Sequence, residues 1–142
     1  MTKISVLFLV FNEVETIEND ISNLVKILDQ KYEYELIIMQ DGSSDGTYEK
    51  LNALEKMYNF VNDSKIDRRG YSRAFLEGVK KCKNDIILFS DTGNKYNFAN
   101  IPVFIEYFKE NNLDLLSGYR YKRKDKLIRR LLTYFYSLFI NI

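Results

Sequence analysis

The chain has 142 residues, 46% of them hydrophobic and 29% charged, enough for one globular domain with a sizeable core. It has no histidine and a single cysteine, Cys82. Histidine triads, histidine metal centres, disulfide frameworks within the chain and zinc–thiolate clusters are therefore excluded. The net charge of +1 hides an asymmetry: Gly118–Arg130 carries seven bases against one acid, net +6, which leaves −5 for the residues before it.

A basic end on a near-neutral chain suggests an anionic partner such as phosphate groups or a lipid surface, although a solvated helix end explains the same charges. Met1-Thr2-Lys3 runs straight into an apolar stretch, so no signal peptide is expected, and no run in the sequence is long enough for a transmembrane helix. The expected setting is reducing and cytoplasmic, peripheral at most to the membrane. Nucleic acid is not an expected partner.

Ile4–Phe11 is almost wholly apolar and reads as a strand buried on both faces. Asn12 and Glu13 break it, and Ile17, Ile21, Leu24, Val25 and Leu28 then recur at helical spacing. Leu36–Met39 is the second strand. Asp41–Gly46 is a loop in which Asp45 suits a helix cap. Leu51, Leu54, Met57 and Tyr58 give the next helix its apolar stripe, and a weak strand is expected near Phe60-Val61. Ala74, Phe75, Gly78, Val79 and Cys82 predict a third helix. Ile86–Phe89 reads as a buried strand, Pro102 opens a helix to about Lys109, and Leu113–Leu116 predicts a further strand. Strands alternating with helices imply a mainly parallel α/β sheet flanked by helices. The chain reads as a single domain, 1–142, with a core to about 117 and a basic segment and amphipathic helix over 118–142. Ile128, Leu131, Phe135, Leu138 and Ile142 share one face of that last helix. Such a helix lies at a membrane interface or packs on its own domain. The chain stops inside it without a capping signal, so it is expected to be C-terminally truncated.

Two acidic segments, Gln40–Thr47 and Ser90–Asn94, each follow a strand. The crevice at the carboxyl ends of strands is where open α/β sheets bind ligands. Asn12, Glu13 and Asp41 could converge on a base and ribose, and Asp91 could reach phosphates through Mg2+ or Mn2+, which favour oxygen ligands. Taken singly, Asp41 is an ordinary turn residue and Asp45 a cap. Asp91 is harder to dismiss, because a carboxylate at the end of a buried strand is costly without a partner. Arg68–Ala74 is a basic loop entering a helix, suited to a diphosphate. No P-loop and no G-x-G-x-x-G are present.

In these segments the chain resembles a family 2 glycosyltransferase of the GT-A (Rossmann-like) fold, and within it the polyprenyl-phosphate (dolichol-phosphate) sugar transferases. Ser5–Glu13 resembles the opening strand, and Glu35–Thr47 resembles the longer motif EIIVVDDGSTDGT. Gly70–Gly78 resembles the family's basic helix start. Phe89–Tyr96 resembles its DxD segment, and Gly118–Tyr121 its GSRY. The resemblance implies a sugar transfer from a nucleotide-diphosphate donor, UDP- or GDP-linked, to a polyprenyl phosphate. It implies that Phe11 and Glu13 flank the base, that Asp41 holds the base or ribose, and that Gly70 and Arg73 serve the nucleotide. It also implies that Asp91, with help from Asn94, meets a Mg2+ or Mn2+ ion, and that Arg120, with Arg129 or Arg130, binds the acceptor phosphate. An ionised phosphate acceptor needs no general base, which suits a chain without histidine.

Four departures stand out: Leu9 for the family's proline, Gln40 for the first Asp of an Asp-Asp pair, Ser72 for a glycine, and Gly93 for the second DxD Asp. Gly93 motivates an alternative, a catalytically impaired or truncated module that binds nucleotide-sugar without turnover. A phosphoacceptor signalling domain, which also carries strand-end acids, lacks its acidic pair after the first strand and its late lysine.

Overall fold

The computed structural model describes residues 1–93 and 97–118. The elements in chain order are β1 (Thr2–Val10), α1 (Ile17–Leu28), β2 (Tyr32–Asp41), α2 (Thr47–Leu54), β3 (Val61–Lys65), α3 (Tyr71–Val79), β4 (Ile86–Asp91), a short 3-10 helix (Phe98–Asn100) and α4 (Ile101–Glu110). The chain groups into two compact units, residues 1–102 and 103–142.

In the first unit a four-stranded, all-parallel sheet has the order β3-β2-β1-β4. The register sets Val10 opposite Gln40 and Leu9 opposite Asp91, so both acidic segments leave the sheet at the same edge. The strand order reverses at β1, which opens a crevice between the ends of β1 and β4. Right-handed crossovers to opposite sides of β1 require helices on opposite faces. The side chains obey that rule. Leu7, Leu9, Ile37 and Met39 pack with Ala74 of α3. The alternate residue Phe8 stacks on Phe98 at 5.7 Å between ring centroids, on the other face. Residues 4–10 of β1 are buried throughout, as their unbroken apolar run demands.

Three expectations are corrected. Ile86–Phe89 is not a buried strand: among the described strands β4 lies at the end of the order beside β1, and Ile87 and Phe89 on one face are partly exposed. An apolar strand looks the same in sequence whether it is central or at an edge. The second helix ends at Leu54, and Met57 lies in turns beyond it, 70% exposed. In the second unit Leu113–Leu116 forms no strand. Asn112 takes a positive φ of 48°, its N–H donates to the Lys109 carbonyl, and the Leu113 N–H donates to that of Phe108. That pair of bonds is a Schellman motif, so Leu113 closes α4 rather than starting a ladder. The amphipathic helix expected over 128–142 lies outside the described residues. Among the described residues no helix is long and apolar enough to cross a membrane.

Candidate functional site

The site grows from two loops that lock together after β1 and β2. Asn12 has a positive φ of 53°, and its N–H donates to Ser43 Oγ while its Oδ1 accepts the Ser44 N–H. Next to it, the Glu13 N–H donates to Thr47 Oγ1 and the Val14 N–H to Asp45 Oδ2. Asp45 Oδ1 accepts the Thr47 N–H at 3.0 Å, so Asp45 does serve the start of α2, although Gly46 is the formal N-cap. Burial acts to raise the Asp45 carboxyl, but the bonds from Thr47 and Val14 outweigh it and hold the group below its ordinary range.

Asp41 is 6% exposed and works as a clamp. Its two oxygens accept the backbone N–H groups of Arg69 at 2.7 Å and Gly70 at 3.1 Å. The loop before α3 is thereby tied to the end of β2. Gly42 makes the approach possible, since it has a φ of +69° and a Cβ there would lie 2.8 Å from the Arg68 nitrogen. Gln40 is buried, and its Oε1 accepts the Gly42 N–H at 2.7 Å.

Arg69 is the buried cation of the site. Its guanidinium donates to Glu77, to the carbonyls of Gln40 and Asp63, and pairs with the Asp63 carboxylate at 3.2 Å. Its Nε lies 3.5 Å from Asp41 as an ion pair without a hydrogen bond. Burial acts to raise the Asp63 carboxyl, but Lys81, Arg69 and Lys65 hold it below its ordinary range. Arg68 instead turns outward, with its guanidinium 3.9 Å above the half-exposed Phe11 ring. This cation–π pair forms a flat, amphipathic surface beside Asp41.

The crevice between β1 and β4 holds the second acidic segment. Asp91 is partly exposed, and the Tyr71 hydroxyl reaches its Oδ1 at 3.4 Å. Thr92 is buried, and its hydroxyl donates to the Leu9 carbonyl. The Gly93 N–H donates to Asp20 Oδ2 at 2.6 Å. Glu13 points into the same turn: a Cβ on Gly93 would lie 2.6 Å from each of its carboxylate oxygens, one of which accepts from Thr16 Oγ1.

Phe11, Glu13, Asp41, Gly70 and Asp91 are thus gathered at one sheet edge. Arg73 lies exposed in the first turn of α3. Asn94, Arg120, Arg129 and Arg130 lie outside the described residues. Sequence reasoning missed Arg68, Arg69 and Asp20 as individuals. Asp20 had a signal: it falls on the stripe of Ile17, Ile21 and Leu24, and an acid on an apolar helical face needs a buried partner.

Residues 5–141 match the profile of glycosyl transferase family 2. The chain belongs to that family. It is 30% identical over 125 residues to a dolichol-phosphate mannosyltransferase of Pyrococcus furiosus, covering 88% of this chain and 35% of that protein. It is also 30% identical over 141 residues to a poly-beta-1,6-N-acetyl-D-glucosamine synthase of Staphylococcus aureus, covering 97% of this chain and 34% of that one. The chain spans about a third of the length of these relatives. Its fold matches a crystal structure of S. aureus TarS 1-349 in complex with UDP, with a TM-score of 0.65 over 88% of this chain and 38% of the other. At 17% identity that likeness is one of fold, and the fold is GT-A.

Proposed function

We propose that this family 2 chain binds a nucleotide-diphosphate sugar at the carboxyl edge of its sheet and transfers the sugar to a polyprenyl phosphate. The observation that carries the reading is the Asp41 clamp, which sets the Arg68–Phe11 pair beside the β1–β4 crevice. The base stacks against the Arg68–Phe11 pair, whose planar guanidinium over the ring suits a planar base. Asp41 acts on base and ribose through the loop it fixes, and Glu13 lines the crevice beyond Phe11. The diphosphate lies toward the start of α3, where Gly70 and Arg73 stand and backbone N–H groups favour anions.

In the transfer, an acceptor phosphate oxygen forms a bond to the sugar's anomeric carbon. The bond from that carbon to the diphosphate oxygen breaks, and the nucleoside diphosphate leaves with the electron pair. Arg68 and Arg73 offset the charge it develops. Arg120, with Arg129 or Arg130, meets the acceptor phosphate, and this basic stretch holds the chain against the cytoplasmic face of a membrane.

A divalent Mg2+ or Mn2+ ion, which the family implies, would meet Asp91 and share the leaving group's charge. Among the described residues no three acids, histidines or cysteines are grouped to hold an ion. The Glu13 carboxylate lies against Gly93, 2.6 Å from where a Cβ there would stand. The described residues therefore do not by themselves form a three-acid metal cage.

The test is turnover of UDP- and GDP-sugars with an isoprenoid phosphate, with and without Mn2+. Release of nucleoside diphosphate that depends on the acceptor and collapses in Asp91→Ala is the expected result. An unchanged rate in that variant would sink the mechanism. Gly93 favours a second reading, a module that binds nucleotide-sugar without turnover, and saturable nucleotide binding with no transfer to any acceptor would select it.

A further inference from the structure

We propose that Asp20 is a positioning residue for the donor site: from α1 it holds the turn after β4, and so sets Asp91. The proposal rests on the donor-site reading above. Asp20 is 1% exposed, and its Oδ2 accepts the Gly93 N–H at 2.6 Å. A buried carboxylate accepting an amide is a strong, charge-assisted bond, and removing the acceptor leaves that amide without its partner.

The turn has a second tether, since the Thr92 hydroxyl reaches the Leu9 carbonyl on β1. Together the two bonds fix residues 92 and 93 against β1 and α1, directly behind Asp91. Gly93 has a φ of +94°, and the room a side chain would need is occupied by the Glu13 carboxylate. The turn is therefore held from outside, through its backbone, by an acid 73 residues earlier. The backbone of Asp91 ends the β4 ladder opposite Leu9, and the printed contact of its side chain is the 3.4 Å approach of the Tyr71 hydroxyl.

Asp20→Ala and the near-isosteric Asp20→Asn separate this role from a general one in folding, because Asn keeps an oxygen that can accept the Gly93 N–H. The readouts are the Gly93 amide proton shift in an NMR spectrum of the 142-residue chain and its affinity for UDP and GDP by calorimetry. In the wild type the Gly93 proton is expected well downfield. Asp20→Ala should move it upfield and weaken nucleotide binding roughly tenfold, with Asp20→Asn recovering most of both. A Gly93 shift that ignores Asp20→Ala overturns the bond. A shift that moves while affinity stays constant overturns the positioning role. If Asp20→Ala fails to fold, Asp20→Asn decides alone: binding weakened tenfold with the Gly93 bond still in place overturns the proposal, and near-wild-type binding upholds it. A wild-type chain that binds neither nucleotide overturns the donor-site reading itself, and needs no substitution to be recognised.

Discussion

Gly93 lies against the end of Glu13: a Cβ at position 93 would stand 2.6 Å from both Glu13 carboxylate oxygens, so a side chain there displaces that carboxylate. An acidic side chain at position 93 therefore requires the Glu13 carboxylate to move. Gly93→Asp forces Glu13 to leave Thr16, strains a backbone at φ +94°, and sets two carboxylates together. The expected cost is about 2–3 kcal/mol of stability. In a Glu13→Ala background the same substitution should cost at least ~1 kcal/mol less. Urea unfolding of the four proteins in this cycle measures the coupling, and strict additivity would show that the two positions do not meet.

Asp41 holds two backbone amides and lies beside a buried guanidinium, so its loss strands several polar groups at once. Asp41→Ala should destabilise the chain by about 3–5 kcal/mol, the range for breaking one side of a buried charge pair. Asp41→Asn keeps one acceptor and should cost less. Hydrogen exchange at the Arg69 and Gly70 amides localises the effect: both should exchange far faster in Asp41→Ala. Protection equal to wild type would remove the clamp from the account.

Phe11 and Arg68 are both solvent-facing, and their mutual interaction contributes only about 0.5–1 kcal/mol. Phe11→Ala and Arg68→Ala should therefore leave the thermal midpoint within a few degrees of wild type. Each should still weaken UDP or GDP binding roughly tenfold, by removing ~1–3 kcal/mol of stacking on the base. Calorimetry beside a melting curve separates the two effects, and a large stability loss with intact affinity would reverse the assignment.

The carboxyls of Asp45 and Asp63 are both held below their ordinary range. The unfolded chain then binds more protons than the folded one at acid pH. The stability these groups contribute is fully present above the unfolded carboxylate range, about pH 4, and is lost as pH falls through their folded values. Urea midpoints should agree between about pH 7 and pH 5 and drop by about pH 3. Asp63→Asn should flatten that drop, and an identical slope in the variant would discount the Arg69–Asp63–Lys81 cluster.

The two acidic segments were legible because each acid directly follows an apolar run, and parallel register carries such positions to one edge. β1, β2, β4 and the helices after β1, β2 and β3 followed from the same alternation of apolar runs and helical stripes, whereas the polar β3, Val61–Lys65, was expected only as a weak strand near Phe60-Val61. The exposure of β4 was not legible, since the run Ile86–Phe89 does not say how many neighbours it has. Nor was the fate of Leu113, whose apolar character serves a helix end as well as a strand. The inward turn of Arg69 and outward turn of Arg68 could not be read from two adjacent arginines, because the choice is made by Asp63 and Glu77 on one side and Phe11 on the other.

Nucleotide titration tests the donor site most directly. UDP and GDP are titrated by calorimetry into the wild type, Phe11→Ala, Arg68→Ala and Asp91→Ala, each with and without Mn2+. One nucleotide should bind per chain, with a micromolar to millimolar Kd in the usual range for enzyme substrates, weakened by each of the three substitutions. Saturable binding that none of them alters, or no saturable binding of either nucleotide, would contradict a donor site at the carboxyl edge of this sheet.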